Sequence, residues 1–415
     1  MKKIIFILLI IFISAMLAVL FFQKNKDKRT VIKFSSWGSQ TETDLLKPLL
    51  KKFEKENPEI KIEFVHIPQN YFQKLHLLFA SNLAPDVVFI NNYFAPKYVK
   101  AELLEDLSPY LDKKEYFEKS YQGFEFDGKI YAIPRDVSNI VVYYNKDLFK
   151  KYNVPLPTQN WTMKEYVETA KKLTKDTNND GKTDLWGTSF EKDIIYWLPF
   201  LLSNDASILS EDGKTLKITD TNALNSIDFY SSLVNEYKIA PSKSDNASLT
   251  MAQLFLQKRL AMHISGRWLV PKYREEADFE WDIALFPAGF KGSVVNIDAS
   301  GYALSKASRH KDEAIKFIQF INSKNSLEEL AKSGLIIPAR KDAAYSETFL
   351  EKDKKPAHAK YFLNSIETGI PTQVNENYQT LTDRLGIILE PVFLGKKKAR
   401  DVIEPELSRK LNRFK

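Results

Sequence analysis

No cysteine occurs in the 415 residues. Disulfides, thiol catalysis and thiolate metal sites are therefore excluded, and so is the acylated cysteine of a lipoprotein. Histidine is scarce, with five scattered residues. No GxSxG, HExxH or GxGxxG pattern is present, and Gly181-Lys182-Thr183 and Gly213-Lys214-Thr215 lack the upstream glycine of a Walker A loop. A carboxylate pair for glycoside hydrolysis stays open, because 53 acidic residues contain many candidate pairs. The eightfold strand-helix alternation of a barrel glycosidase is missing. The expectation is a protein that is not an enzyme and requires no cofactor. A surplus of positive charge is also missing from most of the chain. Residues 1–30 hold six basic residues and one acidic residue, leaving 54 basic against 52 acidic in the rest of the +7 total. That balance offers no argument for nucleic acid.

What is present is ample core material, 44% hydrophobic and 13% aromatic, in a length that suits two domains. Ile4 to Phe22 form 19 consecutive residues with only Ser14 polar, preceded by Lys2 and Lys3 and followed by Lys24, Lys26, Lys28 and Arg29. This reads as an export signal or membrane anchor, with the basic flank on the cytoplasmic side. Beyond it, Thr30 to Phe34 reads as a strand. A helix follows from a Thr41-to-Asp44 cap with Leu45, Leu46, Leu49, Leu50 and Phe53 on one face. Strand 60–65, helix 71–82 and strand 86–90 continue the alternation, which implies a mainly parallel sheet wound with helices. Ligands of such sheets bind at the carboxyl ends of the strands, which puts Trp37, Gln40, Asn91 and Asn92 on the binding side. Further helices are expected over 164–174, 194–202, 221–237, 251–260, 311–322, 325–333 and from 376 onward.

The centre of the chain is Tyr131 to Phe149, reading YAIPRDVSNIVVYYNKDLF. Two strand-like segments flank the polar residues Arg135, Asp136 and Ser138, as in a chain crossing a polar cleft. This stretch resembles the crossover of the family 1 extracellular solute-binding proteins, the maltose-binding-protein-like partners of ABC transporters. Ile32–Gly38, Phe53–Pro58, Pro85–Ile90, Gly266–Trp268, Gly301–Ser305 and Ile337–Lys341 match the family in order. The likeness runs from about residue 31 to the end. It implies an α/β, two-lobed periplasmic-binding-protein-like fold (type II) with three crossovers at the hinge. Lobe one would be 31–140 plus 301–342, and lobe two 141–300 plus 343–415. It also implies a monomer outside the cytoplasmic membrane, with a carbohydrate ligand, ABC permease subunits as partners, and membrane attachment through the N-terminal segment.

A sugar needs a flat aromatic for its C–H face and polar groups around its hydroxyl edge. The resemblance places Trp37, Trp268 and Tyr378 against the cleft, with Asp136, Asn92, Asn296 and Asp298 at matching crossover or loop positions. Arg267 stands where relatives carry proline, and a guanidinium there would suit an acidic or phosphorylated ligand. Arg135 and Arg340 have an alternative, pairing with carboxylates across the hinge. One loop stands apart. Asp176, Asn178, Asp180 and Asp184 occupy positions 1, 3, 5 and 9 of an EF-hand-type spacing, with Gly181 at 6 and the carbonyl of Lys182 at 7. Position 12, normally a bidentate glutamate, is Gly187. The loop is read either as a structural Ca2+ site, as the resemblance implies, or as an Asx-rich turn.

Overall fold

A computed structural model describes residues 29–245 and 248–403. The apolar run Ile4 to Phe22 lies outside the described residues. Among the described residues no helix is long and apolar enough to cross a membrane.

The first third of the chain builds strand-helix units. Strand β1 (Thr30–Ser36) leads to helix α1 (Gln40–Glu56), then β2 (Ile60–His66), α2 (Tyr71–Ala80) and β3 (Val87–Asn91). Helix α1 begins one residue before Thr41. Ser39 is its cap, because its hydroxyl takes the Glu42 N–H at 3.3 Å. The chain then forms β4 (Ile133–Ser138) and β5 (Val141–Asn145), joined by Asn139 and Ile140. Asn145 ends β5 by accepting the Leu148 N–H, and Thr162 and Glu165 make a capping box for α3 (Met163–Leu173). Helices α4 (Ile194–Leu202) and α5 (Thr221–Asn235) follow, then β6 (Met262–Ser265), β7 (Trp281–Ala284) and the long β8 (Asn296–Leu304). The last elements used below are α6 (Lys311–Ile321), β9 (Ile337–Pro338), β10 (Ile370–Pro371) and α7 (Tyr378–Phe393). The helix expected over 251–260 stops at Leu256, and Lys258 takes the left-handed backbone of a turn at φ 59°.

Two sheets result. The larger runs β9-β4-β8-β3-β1-β2, with β10 on the far end of β8. It is mixed rather than mainly parallel. β1 pairs in parallel with β2 and β3, but β8 runs against both β3 and β4, and β9 against β4. The reason is connectivity: β8 enters this sheet from the direction of the smaller one, opposite to the strands of the first third. The smaller sheet, β6-β5-β7, is antiparallel throughout.

Helices cover both faces of the larger sheet. Phe317 of α6 meets Phe34 of β1 and Phe53 of α1 at 5.2 Å each, so α1 and α6 share one face. Leu75 and Phe79 of α2 pack with Val88 and Ile90 on the other. The smaller sheet has its own core. Tyr143 lies edge-on to Tyr273 at 5.2 Å, while Phe200 of α4 packs against Tyr230 of α5 and Phe286. Burying large aromatic side chains on the order of 1.5–3 kcal/mol each drives both cores. The chain passes between the sheets at Asn139–Ile140, along β8, and after β9.

Candidate ligand cleft

The carboxyl ends of β1 and β6 approach one cavity of about 160 Å3. Trp37 and Glu42 line it from the first third of the chain, Arg135 to Ser138 and Ser300 from β4 and β8, and Arg267 and Trp268 from the turn after β6. Four expected site residues thus meet: Trp37, Asp136, Arg267 and Trp268. Trp37 follows the last residue of β1 and is half-buried. Its inner side rests on Phe89 at 4.2 Å and meets Tyr71 at 5.2 Å, so the indole is braced. Trp268 is also half-buried and lies in a short 3-10 turn whose indole folds back over Gly266.

Charge in the cavity is arranged in two ways. Arg135 donates from Nη1 to Glu42 at 2.8 Å and from Nε to Asp136 at 2.5 Å, and its guanidinium caps the Phe89 ring at 4.1 Å. All three charged groups are buried. Burial pushes the Asp136 carboxyl up from its ordinary value, with Arg135 opposing. Burial alone would lower Arg135, but Asp136 and Glu42 outweigh it and hold the guanidinium protonated. Arg267 is the opposite case. It is 2% exposed, stacked on Phe349 at 3.9 Å and Phe362 at 5.3 Å, and among the described residues it forms no ion pair. Nη2 reaches the Phe349 carbonyl at 3.4 Å, whereas Nε and Nη1 are buried without an acceptor. Burial, then repulsion from Arg274, brings its pKa down to about 9.

A second expected group gathers on β8. Asp298 accepts from Asn92 at 3.1 Å, from the Tyr93 hydroxyl at 2.5 Å and from Asn296 at 2.6 Å. Tyr93 stacks on Tyr378 with centroids 5.4 Å apart. The Asn296 Oδ1 and the Tyr378 hydroxyl are buried without partners. Burial raises the Asp298 carboxyl despite its hydrogen bonds. Asn92 also accepts the Ala299 N–H at 3.1 Å, so it pins β3 to β8. The remaining two residues are engaged locally. Gln40 is exposed and donates to Asp44, and Asn91 accepts the Phe94 N–H at the start of the next helix. Arg340 pairs with Glu115 at 2.7 Å and Asp342 at 2.9 Å. A larger hollow of about 700 Å3, lined by Gln122, Phe126, Asp205, Lys291 and Thr372 among others, takes none of the expected site residues.

Known proteins share this architecture. A family model described as "Bacterial extracellular solute-binding protein" matches residues 37–326. The chain belongs to that family. An ABC substrate-binding protein from Listeria monocytogenes, solved in complex with cycloalternan, superposes with a TM-score of 0.83 at 27% identity, covering 93% of this chain and 98% of the other. The arabinooligosaccharide-binding protein of Bacillus subtilis (strain 168) is 24% identical over 403 residues, 91% of this chain and 90% of its own. The maltose/maltodextrin-binding domain MalE of Bdellovibrio bacteriovorus, bound to maltotriose, shares the two-lobed fold with a TM-score of 0.76 at 22% identity, over 92% of this chain and 99% of that one.

In this solute-binding protein the polar or aromatic cleft residues Glu42, Tyr93 and Ser300 escaped the sequence reading, as did the apolar Val137, Leu335 and Ile336. Glu42 sits on a charged helix surface by pattern, and only the fold brings it to Arg135. Tyr93 follows two asparagines in an unremarkable loop. The loop at 176–184 folds as a chain of Asx turns. Asp176 accepts from Asp180 N–H at 3.2 Å and Gly181 N–H at 2.8 Å, and Thr177 donates twice to Asp184. Asn178 and Asp180 accept the N–H groups of Asp180 and Lys182. Gly187 is buried and brings no carboxylate to position 12. Among the described residues no group of three or more histidine, cysteine or acidic side chains could hold a metal.

Proposed function

We propose that this solute-binding protein captures a carbohydrate between its lobes and hands the closed form to the permease of an ABC importer. The observation that carries this reading is the pair of braced, half-buried indoles, Trp37 and Trp268, on different parts of the chain around one polar cavity. Such rings offer apolar faces to sugar C–H groups, and the surrounding carboxylates, guanidinium groups and serine hydroxyls suit sugar hydroxyls. The relatives named as binding cycloalternan and arabinooligosaccharides support it. The lobes are taken as 31–140 plus 301–342 and 141–300 plus 343–415, closing about the three crossings as hinges do. The apolar N-terminal run would hold the protein at the outer membrane face.

Calorimetric titration with a glycan panel, followed by chromatography of the glycans, tests the reading. Saturable binding with intact glycan is expected; cleavage of the glycan would replace a binder with a hydrolase. A second reading rests on Arg267. Glu42 and Asp136 balance the charges of Arg135 and Arg267 over the whole cavity, yet Arg267 itself forms no ion pair among the described residues, the nearby Glu351 being paired with Arg274 at 2.7 Å. A ligand bearing a carboxylate or phosphate would satisfy it. Tighter binding of a uronic oligosaccharide than of its neutral counterpart would favour this second reading.

A further inference from the structure

An open hollow of about 480 Å3 lies on the outside of the α4–α5 region, lined by Asn204, Asn222, Asn225, Ser226, Phe229 and Phe290. None of these residues lines the cleft cavity. No ionisable side chain lines the hollow, in a chain that is 27% charged. Its chemistry is two phenyl rings, three carboxamides and a hydroxyl.

Phe290 is the unusual member, 89% exposed. Its loop is nevertheless fastened. The Phe290 N–H donates to Asn204 Oδ1 at 3.2 Å, the Lys291 N–H to the Ser203 carbonyl at 2.7 Å, and the Lys291 ammonium pairs with Asp205 at 2.7 Å. Gly289 presses so closely on this segment that a Cβ there would sit 2.5 Å from the Ser203 carbonyl. The ring is thus held out in water by a rigid loop rather than left loose. Phe229 is half-buried beside it, braced by Phe200 and Tyr237 at 6.0 and 6.4 Å. Asn222 and Asn225 are exposed on the first two turns of α5, and neither carboxamide has a hydrogen-bond partner among the described residues. A fixed, exposed aromatic beside free amide groups and no charge matches a neutral polyhydroxylated ring: a C–H face to stack and hydroxyls to bond.

We propose that this hollow is a second carbohydrate-binding site, outside the cleft, for neutral glycan chains. It stands independently of what the cleft binds. Native affinity electrophoresis through gels containing soluble starch, arabinan, xylan or dextran tests it, using the wild type, Trp268→Ala, Phe290→Ala and the double variant. At least one polysaccharide should retard the wild type, and Trp268→Ala should keep that retardation. Phe290→Ala should weaken it about fivefold or more, as expected for loss of one stacked ring. Asn225→Ala should weaken it in the same direction. Calorimetric affinity at the cleft should be unchanged in Phe290→Ala. Retardation by none of the four polysaccharides, or retardation indifferent to Phe290→Ala, overturns the proposal. Loss of cleft binding in the wild type with surviving surface retardation would instead reject the cleft reading alone.

Discussion

The indole of Trp268 lies directly on Gly266: a Cβ added to the glycine would stand 1.9 Å from a carbon of the ring. No real contact is that short, so a side chain at Gly266 must push the platform out of place. Gly266→Ala should therefore lower cleft affinity about tenfold and cost about 1–3 kcal/mol of stability from overpacking. In a Trp268→Ala background the same change should cost almost nothing in stability. A double-mutant cycle of melts and titrations checks the coupling.

Trp268 is half-buried, whereas Trp197 and Trp281 are each 2% exposed. Truncating a stacked aromatic at a binding centre costs about 2 kcal/mol, roughly thirtyfold in affinity. Trp268→Ala should show that loss with a melt close to wild type. Trp197→Ala should do the reverse, losing about 3–5 kcal/mol of stability to a core cavity. If Trp268→Ala unfolds as readily as Trp197→Ala yet binds normally when folded, the platform assignment fails.

Arg267 combines burial with two N–H groups that find no acceptor. Burying a charge without an ion pair or a full set of hydrogen bonds costs stability. Arg267→Met, which keeps contact with Phe349 and Phe362, should raise the melting temperature of the free protein. The same variant should bind more weakly any ligand carrying an anionic group. A lower melting temperature would mean that the guanidinium holds the loop together and is not reserved for ligand.

Asp298 carries a pH signature of definite sign. Its carboxyl is raised in the folded state, so the folded protein holds a proton that the unfolded chain has released. The stabilisation is complete below the ordinary aspartate range and is lost as pH rises through the higher, folded value. Asp298→Asn should flatten this part of the stability-versus-pH curve. Denaturant titrations of both proteins from acid to neutral pH measure it. An unchanged slope would place the carboxyl in solvent contact.

Much of the fold was legible along the chain. Periodicity located the helices of the first third because their apolar faces repeat at helical spacing and both faces of the sheet must be covered. Asn145 and Thr162 cap helices within three residues of their own positions, so such caps are local features of the chain. The family motifs of Tyr131 to Phe149 placed the crossover, since a chain leaving one sheet for another needs a polar link between two buried strands. Ser39 in place of Thr41 was missed because both are good caps, and only the path of the backbone chooses between them. The helix that ends at Leu256 was overrun because its periodicity continues past the turn at Lys258.

By itself the sequence determined the absence of thiol chemistry, the apolar N-terminal run, the strand-helix order and the stock of aromatic residues. These depend on residues close in the chain. Tertiary structure decided the direction of β8, and with it a mixed sheet, because antiparallel entry depends on where the preceding segment has been left in space. It also decided that Arg135 has ion pairs with two carboxylates while Arg267 has none among the described residues. Glu42 lies 93 residues from Arg135, and no local pattern records that approach. Charge pairing acts over a few ångströms, so only the folded chain determines which buried cation gains an ion pair.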